Sequence, residues 1–159
     1  MGNTKVNLKN KSKIIKSIIL VLFIIYVLIL IYQVFIRAYG TYDRVQVSSI
    51  SYNLYPLKTI INYIKYYERV NFTVWFFNIF GNIIAFMPLG FFLPLIFKRL
   101  SKFRYTLIIG VVSSLLIEIL QIVFAVGCFD IDDIILNSTG IILGYMIYIV
   151  FRKYFLCKI

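Results

Sequence analysis

Four long apolar stretches, each closed by polar or charged residues, organise this chain. The first runs without a charge over residues 17–36, and the others cover about 74–97, 105–126 and 134–151. A helix rises about 1.5 Å per residue, so a run of about 18 or more apolar residues is long enough to cross a hydrocarbon core about 30 Å thick. The pattern predicts an all-α, polytopic membrane protein with four transmembrane helices. Pro88 and Pro94 fall inside the second stretch, where a membrane helix tolerates proline and bends at it.

The segments between the stretches divide the rest. Residues 1–16 form a lysine-rich leader, residues 17–151 the four-helix membrane domain and residues 152–159 a short tail. The first apolar run is too long for the core of a cleaved signal peptide and ends in Arg37-Ala38-Tyr39-Gly40, so it reads as an uncleaved span. Residues 37–70 form a polar connection. Its second half places Leu57, Ile60, Ile61 and Ile64 at helical spacing behind Pro56, which predicts a short amphipathic helix on the outer membrane surface. Residues 98–104 form a basic turn and residues 127–133 a short acidic turn outside the spans.

Composition changes the picture in one respect: it removes the soluble alternative. With 62% hydrophobic and 14% charged residues, and a mean hydropathy of +0.92, a water-soluble fold has too little polar surface to cover its apolar side chains. The net charge of +11 does not point to nucleic acid, because the basic residues sit in short clusters beside apolar runs rather than on one face of a domain. Their distribution sets the orientation instead. The leader, the 98–104 turn and the tail carry twelve Lys and Arg, against five in the other two connections. Basic flanks stay on the cytoplasmic side, so both termini are expected in the cytoplasm of a multi-pass cell-membrane protein. Trp75, Tyr105 and Tyr39 are expected as interfacial anchors. Cys128 and Cys157 then lie on opposite sides and cannot pair, and the chain has no histidine. Nothing in the sequence implies a cofactor.

Polar residues inside the spans carry the candidate chemistry. Glu118 is the clear ionisable residue within a span, and placing a carboxylate there costs about 2.5–3.5 kcal/mol on insertion scales. It lies about eight residues, or roughly 12 Å, from the outer end of its helix. Gly110, Ser114, Glu118, Gln121 and Ala125 share one stripe of the third span. Asn78, Gly81, Asn82 and Ala85 share a face of the second. Asp133, Asn137, Gly140 and Gly144 share a stripe of the fourth. Unpartnered polar groups are expensive in hydrocarbon, so these faces are expected to meet in one cluster opening outward. Asn78, Asn82, Glu118, Gln121, Asp130, Asp133 and Asn137 are the candidate ligand-binding residues. Glu118, Asp130 and Asp133 are the candidate catalytic ones, and Asp130, Asp132 and Asp133 the candidate ligands of a hard cation. A plainer reading has the amides and glycines serving only as adhesive between helices.

At these residues the chain resembles the VanZ family. Asn53-Leu54-Tyr55-Pro56-Leu57, Gly81-Asn82-Ile83-Ile84-Ala85-Phe86-Met87-Pro88-Leu89-Gly90, and Ser114-Leu115-Leu116-Ile117-Glu118-Ile119-Leu120-Gln121 continuing through Asp130-Ile131-Asp132-Asp133 to Asn137-Ser138-Thr139-Gly140 carry the likeness. It extends over about residues 50–150. Leu57 stands where the family pattern has Phe, and Ser51-Tyr52 precede Asn53 where some relatives have Arg. The resemblance implies a bacterial plasma-membrane protein linked in some members to low-level resistance to teicoplanin and related lipoglycopeptides. The leading expectation is a non-enzymatic envelope factor whose partners are the lipid bilayer, a lipoglycopeptide or a lipid-linked cell-wall precursor, and a second copy of the chain. One alternative is a membrane enzyme acting on a lipid-linked or cell-wall precursor headgroup through Glu118 and the three aspartates. The other is an ion-coupled transporter using Glu118.

Overall fold

The computed structural model describes residues 2–37, 52–66, 68 and 71–156. Four helical stretches are long and apolar enough to cross a membrane: Lys13–Phe35, Phe72–Ile96, Phe103–Val123 and Ile131–Tyr154. The first belongs to a continuous helix, α1 (Gly2–Ile31), that takes in most of the lysine-rich leader. Tyr39, Cys157 and the first half of the 37–70 connection lie outside the described residues.

The core is the pairing of the second and fourth spans, the most extensive helix contact in the bundle. Glycine makes it possible. A Cβ on Gly140 would run into the Ile83 carbonyl oxygen, one on Gly144 into that of Met87, and one on Gly90 into that of Ile141. The two backbones therefore touch, which is how helices associate in lipid, where no hydrophobic drive separates helix from solvent. Ile141, fully buried, fills the space that Gly110 of the third span leaves open. Leu30, Phe86, Leu89 and Leu93 complete the buried apolar cluster around it.

The first span sits at the edge, and most of its side chains face outward. Its hold on the second span is aromatic, with Phe23 and Tyr26 against Phe92 at ring-centroid separations of 6.0 and 6.3 Å. The Tyr26 hydroxyl also donates to the Ala85 carbonyl at 2.8 Å. Three of the spans are not uniformly α-helical, the fourth ending in a π-helical turn at Arg152–Leu156. A π-helical turn, Phe77–Gly81, joins α3 (Phe72–Phe76) to α4 (Asn82–Ile96) in the second span. Another, Tyr32–Arg37, ends the first.

One end of the bundle is closed by a 3₁₀ turn, Lys98–Ser101, held by Thr106 Oγ1 donating to the Leu100 carbonyl and Tyr145 donating to that of Ser101. Arg104 lies 4.8 Å from the ring centroid of Tyr105 there. The other end holds structure that an all-helical reading misses. Tyr52–Asn53 (β1) and Phe129–Asp130 (β2) form a two-residue parallel pair, with Tyr52 opposite Phe129 and Asn53 opposite Asp130. The amphipathic helix follows as α2 (Lys58–Lys65), with Ile61 and Ile64 exposed. Pro56 stands before it rather than in its first turn, and Leu57, at φ 65°, makes the entry in the left-handed region.

The boundary of the fourth span also differs from expectation. The aspartates are not a turn outside the span: Asp130 caps α6 (Ile131–Phe151), and Asp132 and Asp133 lie in its first turn. The physical reason is the helix terminus, whose unsatisfied N–H groups and positive dipole end favour carboxylates. The third span, α5 (Phe103–Val123), ends earlier than expected. Ala125 turns into the left-handed region, and the Val126 N–H closes back on the Gln121 carbonyl at 2.9 Å, a C-terminal stop of the Schellman type.

Candidate functional site

The polar stripes of the last three spans meet as their spacing suggests. Asn82 Nδ2 of the second span donates to Asp133 Oδ1 of the fourth at 2.6 Å. Asn137 Nδ2 donates to Ser114 Oγ at 2.8 Å, joining fourth to third. Glu118 is only 2% exposed, and its Oε2 accepts from the Asp130 backbone N–H at 3.1 Å. Glu118 therefore faces the bundle and not the acyl chains. Asn137 Oδ1 is buried without a hydrogen-bond partner.

Each aspartate has a different task. Asp130 accepts from the Asp132 N–H at 2.9 Å, from Asn53 Nδ2 at 3.0 Å and from Thr59 Oγ1 at 2.6 Å. It ties the helix start to the connection that precedes the second span. Asp132 is fully buried and takes three backbone N–H groups. Leu57 donates to Oδ1, while Thr59 and Ile60 donate to Oδ2 at 2.7 and 3.2 Å. It serves as the N-terminal cap of α2 from 72–75 residues away in sequence. Asp133 alone turns toward the second span.

This divergence corrects the expectation of a cation held by Asp130, Asp132 and Asp133. Successive residues at a helix start project about 100° apart, at 3.6 residues per turn, so Asp132 and Asp133 cannot converge. Among the described residues no group of three or more His, Cys, Asp or Glu side chains is gathered to hold a metal ion. Tyr63 of α2 lies within electrostatic reach of Asp133 and Asp130. Its phenol is held above the usual tyrosine range, first by burial and then by those two carboxylates.

Two candidates stand apart from the cluster. Asn78 is exposed and donates to the Val74 carbonyl of its own helix at 2.7 Å. The π-helical turn explains this, because it inserts a residue into the helical repeat between Asn78 and Asn82 and ends their stacking on one face. Gln121 lines a groove between the first three spans, as does Asn78. Trp75, expected as an interfacial anchor, packs between Phe72 and Phe80 at centroid separations of 5.8 and 5.7 Å. Its Nε1 is buried without a partner. Residue-by-residue reasoning missed Asn53 and Thr59. The one signal for Asn53 is its place in the Asn53–Leu57 stretch that resembles the family pattern.

Comparison with known proteins supplies the remaining evidence. The family described as VanZ/LLP1 matches residues 23–152. Protein VanZ of Enterococcus faecium is 36% identical over 98 residues, covering 56% of this chain and 58% of that protein. The match thus takes in little more than half the length of that curated relative. No solved structure is similar to the chain.

Proposed function

Because the chain belongs to the VanZ/LLP1 family, we propose that it is a non-enzymatic factor of the bacterial cell envelope, associated with low-level resistance to teicoplanin-type lipoglycopeptides. Glu118 and Asp133 are the groups that meet the molecule it handles. The observation that carries the reading is the division of labour among the four carboxylates. The hydrogen bonds of Asp130 and Asp132 hold the 52–66 segment and the helix start. Glu118 accepts one backbone N–H, and Asp133 one amide. Keeping carboxylates at this depth solely as adhesive is costly when amides and small residues serve that purpose.

The test is expression in a susceptible Gram-positive host, with teicoplanin and vancomycin susceptibility measured beside an immunoblot of membrane fractions. Wild type should raise the inhibitory concentration of teicoplanin. Glu118→Gln and Asp133→Asn should return it to that of the empty vector while membrane abundance stays near normal, because both changes nearly preserve volume and keep one carbonyl acceptor. Full resistance in both variants at normal abundance defeats the functional role of the pair.

The orientation belongs to the same proposal. Twelve of seventeen basic residues flank one side, so both termini and the 98–104 turn are placed in the cytoplasm and the carboxylate end outside. Reporter fusions after Phe155 and within 98–104 should report cytoplasm, and fusions near Ser49 or Cys128 the exterior. A cytoplasmic signal at Cys128 reverses the assignment.

A further inference from the structure

Beside the carboxylate cluster, on the far side of Asn82, the first three spans enclose a groove with two adjoining lobes. The larger, about 560 Å³, is lined on its polar side by Gln33, Thr73, Asn78, Asn82 and Gln121. The smaller, about 280 Å³, is lined mainly by apolar and aromatic residues, among them Tyr26, Ile29, Phe76, Ile84 and Pro88. Leu30, Gln33, Phe77, Gly81 and Ala85 border both lobes, so the two adjoin along that strip. Their volumes fall at or near the range of about 300–1,000 Å³ usual for small-molecule sites.

Three features set this groove apart from an ordinary gap between lipid-facing helices. First, its polar lobe is built from five uncharged hydrogen-bonding side chains on three spans. Among the described residues the side chains of Gln33 and Gln121 make no hydrogen bond, and that of Asn78 bonds only its own helix. Gln33, Thr73 and Gln121 lie in the terminal turn of their spans and Asn78 farther in, so the polar lobe offers open hydrogen-bonding groups at the mouth of the groove to an occupant that pairs with them. Second, the first two spans each present a π-helical turn to it beside their α-helical lining: Tyr32–Arg37 carries Gln33 and Val34, and Phe77–Gly81 carries Phe77, Asn78 and Gly81. Such turns recur at functional sites because they reset which side chains a helix presents. Third, among the described residues no Asp, Glu, Lys or Arg lines either lobe, so they offer a charged head no counter-ion and disfavour it against a neutral one.

From these we infer that the groove binds an amphiphile with an acyl chain in the apolar lobe and an uncharged, hydroxyl- or amide-bearing head in the polar lobe. Asn82 links the two halves of the site, since it borders the head lobe and donates to Asp133. The inference rests on the proposal that the protein handles an amphiphilic envelope molecule, and it supplies the class and the seat. The head is a sugar or a peptide amide, which share this hydrogen-bonding chemistry.

Gly81 offers a clean test. A Cβ there would meet only Phe77, at an ordinary 3.8 Å, so a larger side chain enters the groove without displacing backbone. The full-length protein, in phosphatidylcholine nanodiscs, is photolabelled with three probes of the same diazirine-bearing acyl chain: an alkyl glucoside, an acyl dipeptide amide and a fatty acid. At least one neutral-headed probe should label residues 26–34 and 73–86 saturably, and which one does so distinguishes sugar from peptide. The fatty acid should label them no more than it labels Ile108, Val112 and Leu116 on the outward face of the third span. Gly81→Leu and Asn78→Leu should lower the neutral-headed labelling to the fatty-acid level at unchanged thermal stability. Equal labelling of all faces, or labelling unchanged in Gly81→Leu, overturns the site. Saturable labelling of a protein that confers no resistance keeps the groove and rejects the functional proposal. Resistance without such labelling does the reverse.

Discussion

Gly144→Leu should leave almost no folded protein in the membrane. A Cβ at this position would fall on the carbonyl oxygen of Met87, with the Phe91 nitrogen about 3.0 Å away on the same helix. Neither obstacle is a side chain that can swing aside. The second and fourth spans would have to separate along the contact that forms the core. Overpacking a core with methylenes typically costs 1–3 kcal/mol, and displacing backbone should exceed about 3 kcal/mol, a large share of a domain's total stability. Gly140→Leu meets the Ile83 carbonyl and should behave alike. Gly81→Leu, a glycine of the same second span with only Phe77 at 3.8 Å, should accumulate normally. Immunoblots of membrane fractions and size-exclusion profiles in detergent separate the three. Normal abundance of Gly144→Leu would show that the two helices are not packed backbone to backbone.

Much of this architecture is legible in the chain because lipid enforces simple rules. Four apolar runs give four spans, and small residues spaced by three and four give the Gly140–Gly144 contact. The polar stripes are legible for the same reason: Ser114 and Glu118 on one helix and Asp133 and Asn137 on another have few partners to choose from. What is not legible depends on local departures from the α-helical repeat and on distant contacts. The π-helical turn at Phe77–Gly81 takes Asn78 away from the cluster and helps open the groove, yet its sequence reads as ordinary span. Gln33 escapes notice because the residues that line the groove with it come from other helices. The aspartate triplet shows the same limit. Three carboxylates within four residues suggest a cation site, but the start of the fourth span separates them by their helical phase, and only tertiary structure reveals what each one meets.

Asp132 gives the sharpest expectation of that kind, because sequence reasoning offers it as a metal ligand and the fold uses it as a cap. Its carboxylate accepts the N–H groups of Leu57, Thr59 and Ile60 and lies at 0% exposure. The first turn of α2 contains no acidic residue and no local side-chain cap, so these donors have no substitute when Asp132 is lost. Leu57 is also held in the left-handed region, a conformation that persists for a branched residue only where its surroundings impose it. Asp132→Ala leaves three N–H groups without their charged acceptor, a loss on the order of 3–5 kcal/mol given the cost of unsatisfied buried donors. Asp132→Asn should do little better, since its NH₂ group must face either Leu57 N–H or the Thr59 and Ile60 pair, donor against donor. Both variants should release α2 from the head of the fourth span while the glycine-packed core survives. Hydrogen exchange should therefore accelerate at Leu57, Thr59 and Ile60 and stay slow across Ile141–Tyr148. If exchange at those three amides is unchanged in Asp132→Ala, the carboxylate is not their cap, and a ligand role for Asp132 returns to consideration.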